Sequence, residues 1–135
     1  MTPERALERA LVDGLSVRAE VQAVLGTPAR LYARPTGRPA YPYAVIDRHR
    51  IDLHEDSTGQ ATEHRIDLAV FTRHGGRAEA RDALGQLRLA FEGLSLAPEG
   101  QRIILAHTVY ADTMRTAQLT AFRGLMRLRI LMEEL

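Results

Sequence analysis

The sequence predicts an α+β fold, a four-stranded antiparallel sheet with its helices packed on one face and a long projecting β-hairpin. Two observations carry this. The inferred elements run helix, helix, strand, strand, helix, strand, strand, an order that segregates the classes instead of alternating them. Residues 77–93 also repeat apolar side chains at three-four spacing, whereas 61–72 and the last strand alternate with a period of two. At 135 residues the chain suits one domain, 1–135, with enough length to bury a core.

The first helix begins at Thr2-Pro3-Glu4, with Thr2 as N-cap and Pro3 at the first helical position. Leu7, Ala10, Leu11 and Leu15 then share a face, and Gly14 is expected to end the segment. Ser16 is read as the cap of a second short helix, striped by Val17, Val21, Val24 and Leu25 and stopped by Gly26-Thr27-Pro28. Residues 27–42 hold four of the six prolines. Each proline breaks a helix, so this stretch is read as an extended strap lying on the body of the domain.

Two strand-like runs follow, Tyr43 to His54 and Ala61 to Thr72, joined by Glu55-Asp56-Ser57-Thr58-Gly59-Gln60. Ile66, Leu68 and Val70 form one face of the second. A turn centred on Ser57-Thr58 sets Arg48 opposite Asp67, Arg50 opposite Arg65, and Asp52 opposite Glu63. A shift of two residues pairs Arg50 with Asp67 or Glu63 instead, and both registers stay open. Because the half nearest the turn is polar on both faces, the hairpin is expected to leave the core and project.

The clearest helix spans 77–93, with Ala80, Ala83, Leu84, Leu87, Ala90, Phe91 and Leu94 on its apolar face and Gly93 as its stop. Gln101 to Tyr110 and Leu119 to Met132 read as the last two strands, joined by 111–118. In the final strand Phe122, Met126, Leu128, Ile130 and Met132 share one face, and Arg123, Arg127 and Arg129 share the other.

Composition removes most reaction chemistry. The chain has 18 basic and 17 acidic side chains and no cysteine, which excludes disulfides, thiolate metal sites and thiol nucleophiles. Every basic residue is arginine, and neither lysine nor asparagine occurs, so a Walker-type or Schiff-base lysine is also excluded. A GC-rich genome accounts for this bias. No run approaches the ~20 apolar residues that span a bilayer, and the charged N-terminus lacks a signal-peptide core. Synthesis in a cytoplasm and no membrane partner are therefore expected.

His49, His54 and His64 flank the hairpin beside Glu55 and Asp56, but His49 and His54 are five apart on a strand and point to opposite faces. They read as surface histidines on a polar hairpin, and His107 as a half-buried structural one. Arg73-His74-Gly75-Gly76-Arg77 lacks phosphate-loop spacing and lies between strands expected to run antiparallel, so it reads as a tight turn. The serines sit in no nucleophile elbow. No nucleophile, base and orienting group assemble, so neither an enzyme nor a cofactor is expected.

The stripe of Arg123, Arg127 and Arg129 is the strongest directional charge feature. It fits pairing with acidic residues of a neighbouring strand, or a face meeting a partner subunit, or a nucleic-acid backbone. Interleaved Leu125 and Leu131 make the face mixed, which favours protein over nucleic acid.

The ordered layout resembles the small tail-completion, or tail terminator, proteins of long-tailed phages and phage-like gene-transfer particles. The residues that carry it begin with the strap ending in Pro39-Ala40-Tyr41-Pro42-Tyr43-Ala44-Val45-Ile46 and the strand Ile66-Asp67-Leu68-Ala69-Val70-Phe71-Thr72. The long helix Arg77 to Leu94 follows. Val109 to Thr116 is similar to an acidic-and-arginine loop, and Gly124 to Ile130 to a closing strand alternating apolar residues with arginine. The resemblance spans about Val17 to Glu133.

It implies a structural virion protein, a homo-hexameric ring that caps the tail tube and joins it to head-completion (stopper) proteins, with DNA only passing through its lumen. The residues themselves suggest where such contacts fall: Glu55, Asp56, Ser57 and Thr58 at the hairpin tip, Asp112 and Arg115 in the loop, and Arg123, Leu125, Arg127 and Arg129 on the closing strand are expected at a subunit or partner interface. A head-closure adaptor, or another non-enzymatic oligomerisation module, is the alternative.

Overall fold

The computed structural model describes residues 1–35, 37–53, 61–117 and 120–135. Helix α1 spans Pro3–Ser16 and α2 spans Ala19–Leu25. Thr2 caps α1 as expected, its hydroxyl accepting from the Arg5 amide at 3.2 Å with Pro3 in the first turn. Gly14 does not end α1. It lies inside the helix, where a Cβ would come 3.0 Å from Leu94 Cδ1; the missing side chain lets the segment after the long helix pack against it. Arg18, not Ser16, is the N-cap of α2, and Val17 is exposed while Val21 and Leu25 are buried.

The proline-bearing strap contributes a strand of its own. Leu31–Tyr32 forms β1 and pairs in parallel with β2, Tyr43–Leu53, matching Leu31 with Ala44. The Arg30 guanidinium donates to the Pro42 carbonyl at 2.8 Å, and the Ala44 amide donates to the Arg30 carbonyl at 2.8 Å. Leu31 thereby reaches the core. The sheet is consequently five-stranded and mixed, not four-stranded and antiparallel: with β3 at Ala61–Thr72, β4 at Gln101–Arg115 and β5 at Phe122–Glu134, the order is β1-β2-β3-β5-β4.

Both β3 and β4 pair antiparallel with β5, so they run parallel to each other, contrary to the antiparallel expectation. Between them α3, Gly76–Glu92, carries the chain back along the sheet, roughly 25 Å at 1.5 Å per residue. The strand after it therefore starts from the same end as β3, leaving a gap that β5 fills. Strand β4 also runs five residues beyond the expected Tyr110.

The register of β2 and β3 is the one centred on Ser57-Thr58: Arg48 faces Asp67, Arg50 faces Arg65 and Asp52 faces Glu63. An irregularity between Ile46 and Arg48 switches the faces of β2. Among the described residues the hairpin does not leave the sheet. Its polar half stays paired to β5 as far as Ala61 opposite Glu133, and Glu63 and His64 are buried. The tip at Glu55, Asp56, Ser57 and Thr58 lies outside the described residues.

The core lies between the sheet and the helices, which all sit on one face. The α3 stripe Ala80, Ala83, Leu84, Leu87, Ala90 and Phe91 is buried against Ile66, Leu68 and Val70 of β3 and Met126, Leu128, Ile130 and Met132 of β5. Gly124 lies where α3 and the sheet come close: a Cβ there would meet Val70 Cγ1 at 2.9 Å and the Ala80 carbonyl at 3.3 Å.

Candidate interaction surface

The face of the sheet opposite the helices carries the arginine stripe, and the strand register pairs it within the chain. Arg127 Nε and Nη2 donate to the two carboxylate oxygens of Asp67 at 2.8 and 3.2 Å. This fork is possible because Arg127 and Asp67 are directly opposed on β5 and β3. Asp67 raises the Arg127 pKa further, first through these hydrogen bonds and then by its charge. Arg129 Nη2 donates to Glu63 at 3.0 Å, and Arg65 Nη2 lies 3.3 Å from the other Glu63 oxygen. Arg123 reaches the Met114 sulfur at 3.2 Å and Asp47 at 4.0 Å. Local pairing, one of the readings open from sequence, therefore exists; half-exposed Arg127 and Arg129 still present their outer edges.

Leu125 is 6% exposed and packs with Val45, Ala69 and Phe71 in a small second cluster on this face. Beyond it, Tyr43 stacks on Phe71 at 5.2 Å and Tyr41 lies 5.5 Å from Tyr43. Beside the Asp67 pair a shallow depression of about 250 Å³ is lined by Arg48, Arg50, Asp52, Arg65, Asp67 and Arg127.

Strand β4 is the feature that the sequence reading passed over. Among the described residues it occupies the sheet edge; Ile103 packs against the core, but Ile104, Leu105, Val109, Tyr110 and Met114 are open to solvent. Its ladder shifts register between Ile103 and Leu105 and again between Thr108 and Tyr110. Ile104 and Val109 are therefore the extra, unpaired residues of two bulges. Asp112, expected in a loop, is in this strand and accepts from the Tyr110 hydroxyl. The Arg127 guanidinium lies 5.4 Å from the Tyr110 ring, and Arg115 lies 5.5 Å from the Phe122 ring. The structure thus gathers Asp112, Arg123, Leu125, Arg127 and Arg129 onto one face. Arg115 falls at the end of β4, opposite Phe122. A signal was available, since 101–115 is apolar without a clean period, as befits a bulged strand.

The histidine reading needs correction. His49 and His64 are not surface residues but a pair on the helix-facing side, His64 fully buried and His49 half-buried. His49 Nε2 meets His64 Nδ1 at 2.7 Å, His49 Nδ1 meets Glu8 Oε2 of α1 at 2.7 Å, and His64 Nε2 meets Thr62 Oγ1 at 2.9 Å. His64 shares its face of β3 with Ile66, Leu68 and Val70, which the alternation already implied. Among the described residues no group of three or more metal-ligating side chains converges, and no helix is long and apolar enough to cross a membrane.

The fold therefore presents a sheet with helices on one face, ion pairs on the other and an apolar edge. The chain belongs to the family of tail completion protein gp17, whose model matches residues 9–133, and members of that family are structural virion proteins, not enzymes. A chain in the virion of a native gene transfer agent particle is 26% identical, with a TM-score of 0.80 over 96% of each chain. The bacteriophage SPP1 gp17 protein shares the fold at 21% identity and a TM-score of 0.62, over 94% of this chain and 88% of that one. Comparison with curated protein sequences finds no match. This protein is accordingly a tail completion component of a phage or gene-transfer-agent particle.

Proposed function

We propose that the chain is the tail terminator of such a particle, a homo-hexameric ring that caps the tail tube and joins it to head-completion proteins, with DNA passing through its lumen. The observation that carries the reading is β4. A 15-residue edge strand with five large apolar side chains open to solvent is an aggregation hazard in a free monomer and a natural surface in an assembly. Closed rings need heterologous contacts, in which one patch meets a different one. Here β4 supplies an apolar edge, and the Arg123, Arg127 and Arg129 face supplies a charged one. Asp112 and Arg115 lie on β4 within reach of such a contact, while Leu125 supports the face from beneath. The tip residues Glu55, Asp56, Ser57 and Thr58 are assigned to contact with tube or neck.

The test is the mass of the full chain by light scattering, alone and with tube protein. The wild type is expected as a hexamer that arrests tube growth. Ile104→Asp together with Met114→Asp should give a folded monomer, because both side chains are largely exposed and outside the core. A hexamer that survives this change overturns the β4 assignment, and a monomer for wild type with tube protein present overturns the terminator reading.

A further inference from the structure

Glu8, His49, His64 and Thr62 make one unbroken hydrogen-bond chain from α1, through β2, to the first residues of β3. We propose that this chain is a one-proton relay: it takes up a single proton with all three hydrogen bonds kept, reverses their direction at His64 and Thr62, and breaks on a second proton.

A count of donors and acceptors sets the direction of each bond. An ionised carboxylate only accepts, so with Glu8 charged His49 must carry its proton on Nδ1. If both rings are neutral, His49 Nε2 then accepts. His64 donates from Nδ1 and accepts at Nε2, and the Thr62 hydroxyl donates to it. Every group is satisfied in one direction only. When a proton is added, His49 becomes the imidazolium beside Glu8 and donates from both nitrogens. His64 must now accept at Nδ1, so its proton moves to Nε2 and Thr62 becomes the acceptor. The contacts survive, the tautomer of His64 inverts, and the Thr62 hydroxyl proton is released to another partner. With a second proton, N–H would face N–H across 2.7 Å, and the two rings must part.

The surroundings fit this order of events. From α1, Glu8 contacts His49 and Glu4 acts on His64, with Arg5 beside Glu8 in a surface depression. The strands bring apolar groups: Ile51 of β2 and Ile130 of β5 stand opposite His64, and Met132 stands opposite Thr62. Burial, then the charge of His49, hold His64 down from 6.5 to about 4, with Glu4 acting the other way. The nitrogens of the two rings are too close to share a metal ion, which at about 2.0–2.1 Å from each would hold them more than 3 Å apart. The consequence is a device that couples the protonation of the helical layer to the Thr62 hydroxyl at the start of β3, whether or not the protein forms a ring.

The experiment is a titration of the full chain, ring-labelled with ¹⁵N at histidine, from about pH 8 to about pH 3.5, reading tautomers by long-range ¹⁵N–¹H correlation. His64 is expected with its proton on Nδ1 at the alkaline end. It should switch to Nε2 while still uncharged and become cationic only as the His49–His64 contact opens. Two independent imidazole titrations, or His64 held on Nε2 throughout, overturn the relay. Glu8→Gln, at a partly exposed helical position, should move the tautomer inversion down by about one pH unit, a tenfold weaker proton uptake. An inversion that does not move also overturns it, since a merely structural contact would not set the midpoint.

Discussion

Strands β5 and β4 lie side by side, span 13 and 15 residues and carry comparable apolar content, yet they do opposite work. In β5 the alternation is clean: Met126, Leu128, Ile130 and Met132 are fully buried, while Arg127 and Arg129 pair with acids of β3. In β4 most side chains of the same kinds remain in solvent, because among the described residues no strand flanks it on one side and two bulges interrupt its period. Apolar content therefore does not by itself assign a strand to the core. Its neighbours do, and the strand lacking them is the one available to another molecule.

Three changes test that contrast, the first with the largest effect. Leu128→Ala, in the centre of β5, should cost about 3–4 kcal/mol of folding stability, whereas Val109→Ala in a β4 bulge should cost less than about 0.5 kcal/mol in the monomer. Urea unfolding of both variants measures this, and equal losses would erase the distinction between the strands.

The second concerns His64, which sits between β2 and β5. Its pKa is depressed in the folded chain, from 6.5 to about 4, so the unfolded chain binds more protons between those values. Stability must therefore fall as pH drops from about 6.5 towards about 4, by on the order of 2–3 kcal/mol at the lower end. His64→Gln should flatten that slope in urea unfolding, and an unchanged slope would refute the assignment.

The smallest effect is expected where β5 meets β3 on the solvent-facing side. Arg127→Asp brings two carboxylates together at Asp67 and should lose about 1 kcal/mol. The double exchange with Asp67→Arg should recover most of that, as read by a double-mutant cycle. A single reversal at Arg127 therefore perturbs folding as well as any ring contact. Exposed β4 positions such as Ile104 and Met114 separate the two effects more cleanly.

Much of this was legible in the sequence. Thr2-Pro3, the three-four stripe of α3, the strand Ala61–Thr72 and the inward face of β5 all follow from local chemistry and period, which act over a few residues. The set of interface candidates was legible only in part. The arginine stripe was visible, but its partners Asp67 and Glu63 lie about sixty residues away in sequence, and one of two open registers had to be chosen to bring them together. The histidine pair is invisible to spacing within one strand, because the partner of His49, His64, lies on another. The other contact of His49, Glu8, comes from the first helix.

What the sequence alone determined is the class of protein: an α+β body without thiol or lysine chemistry, arginine on one side of its last strand, and an element order shared with tail completion proteins. Those properties reside in composition and short-range periodicity, and no packing arrangement can remove them. Only the tertiary structure decided that the strap adds a parallel fifth strand, that β5 inserts between β3 and β4, and that two histidines join across β2 and β3. Each of these depends on which segments become neighbours. That choice is made by burial summed over the whole sheet, and it leaves no mark at any single residue.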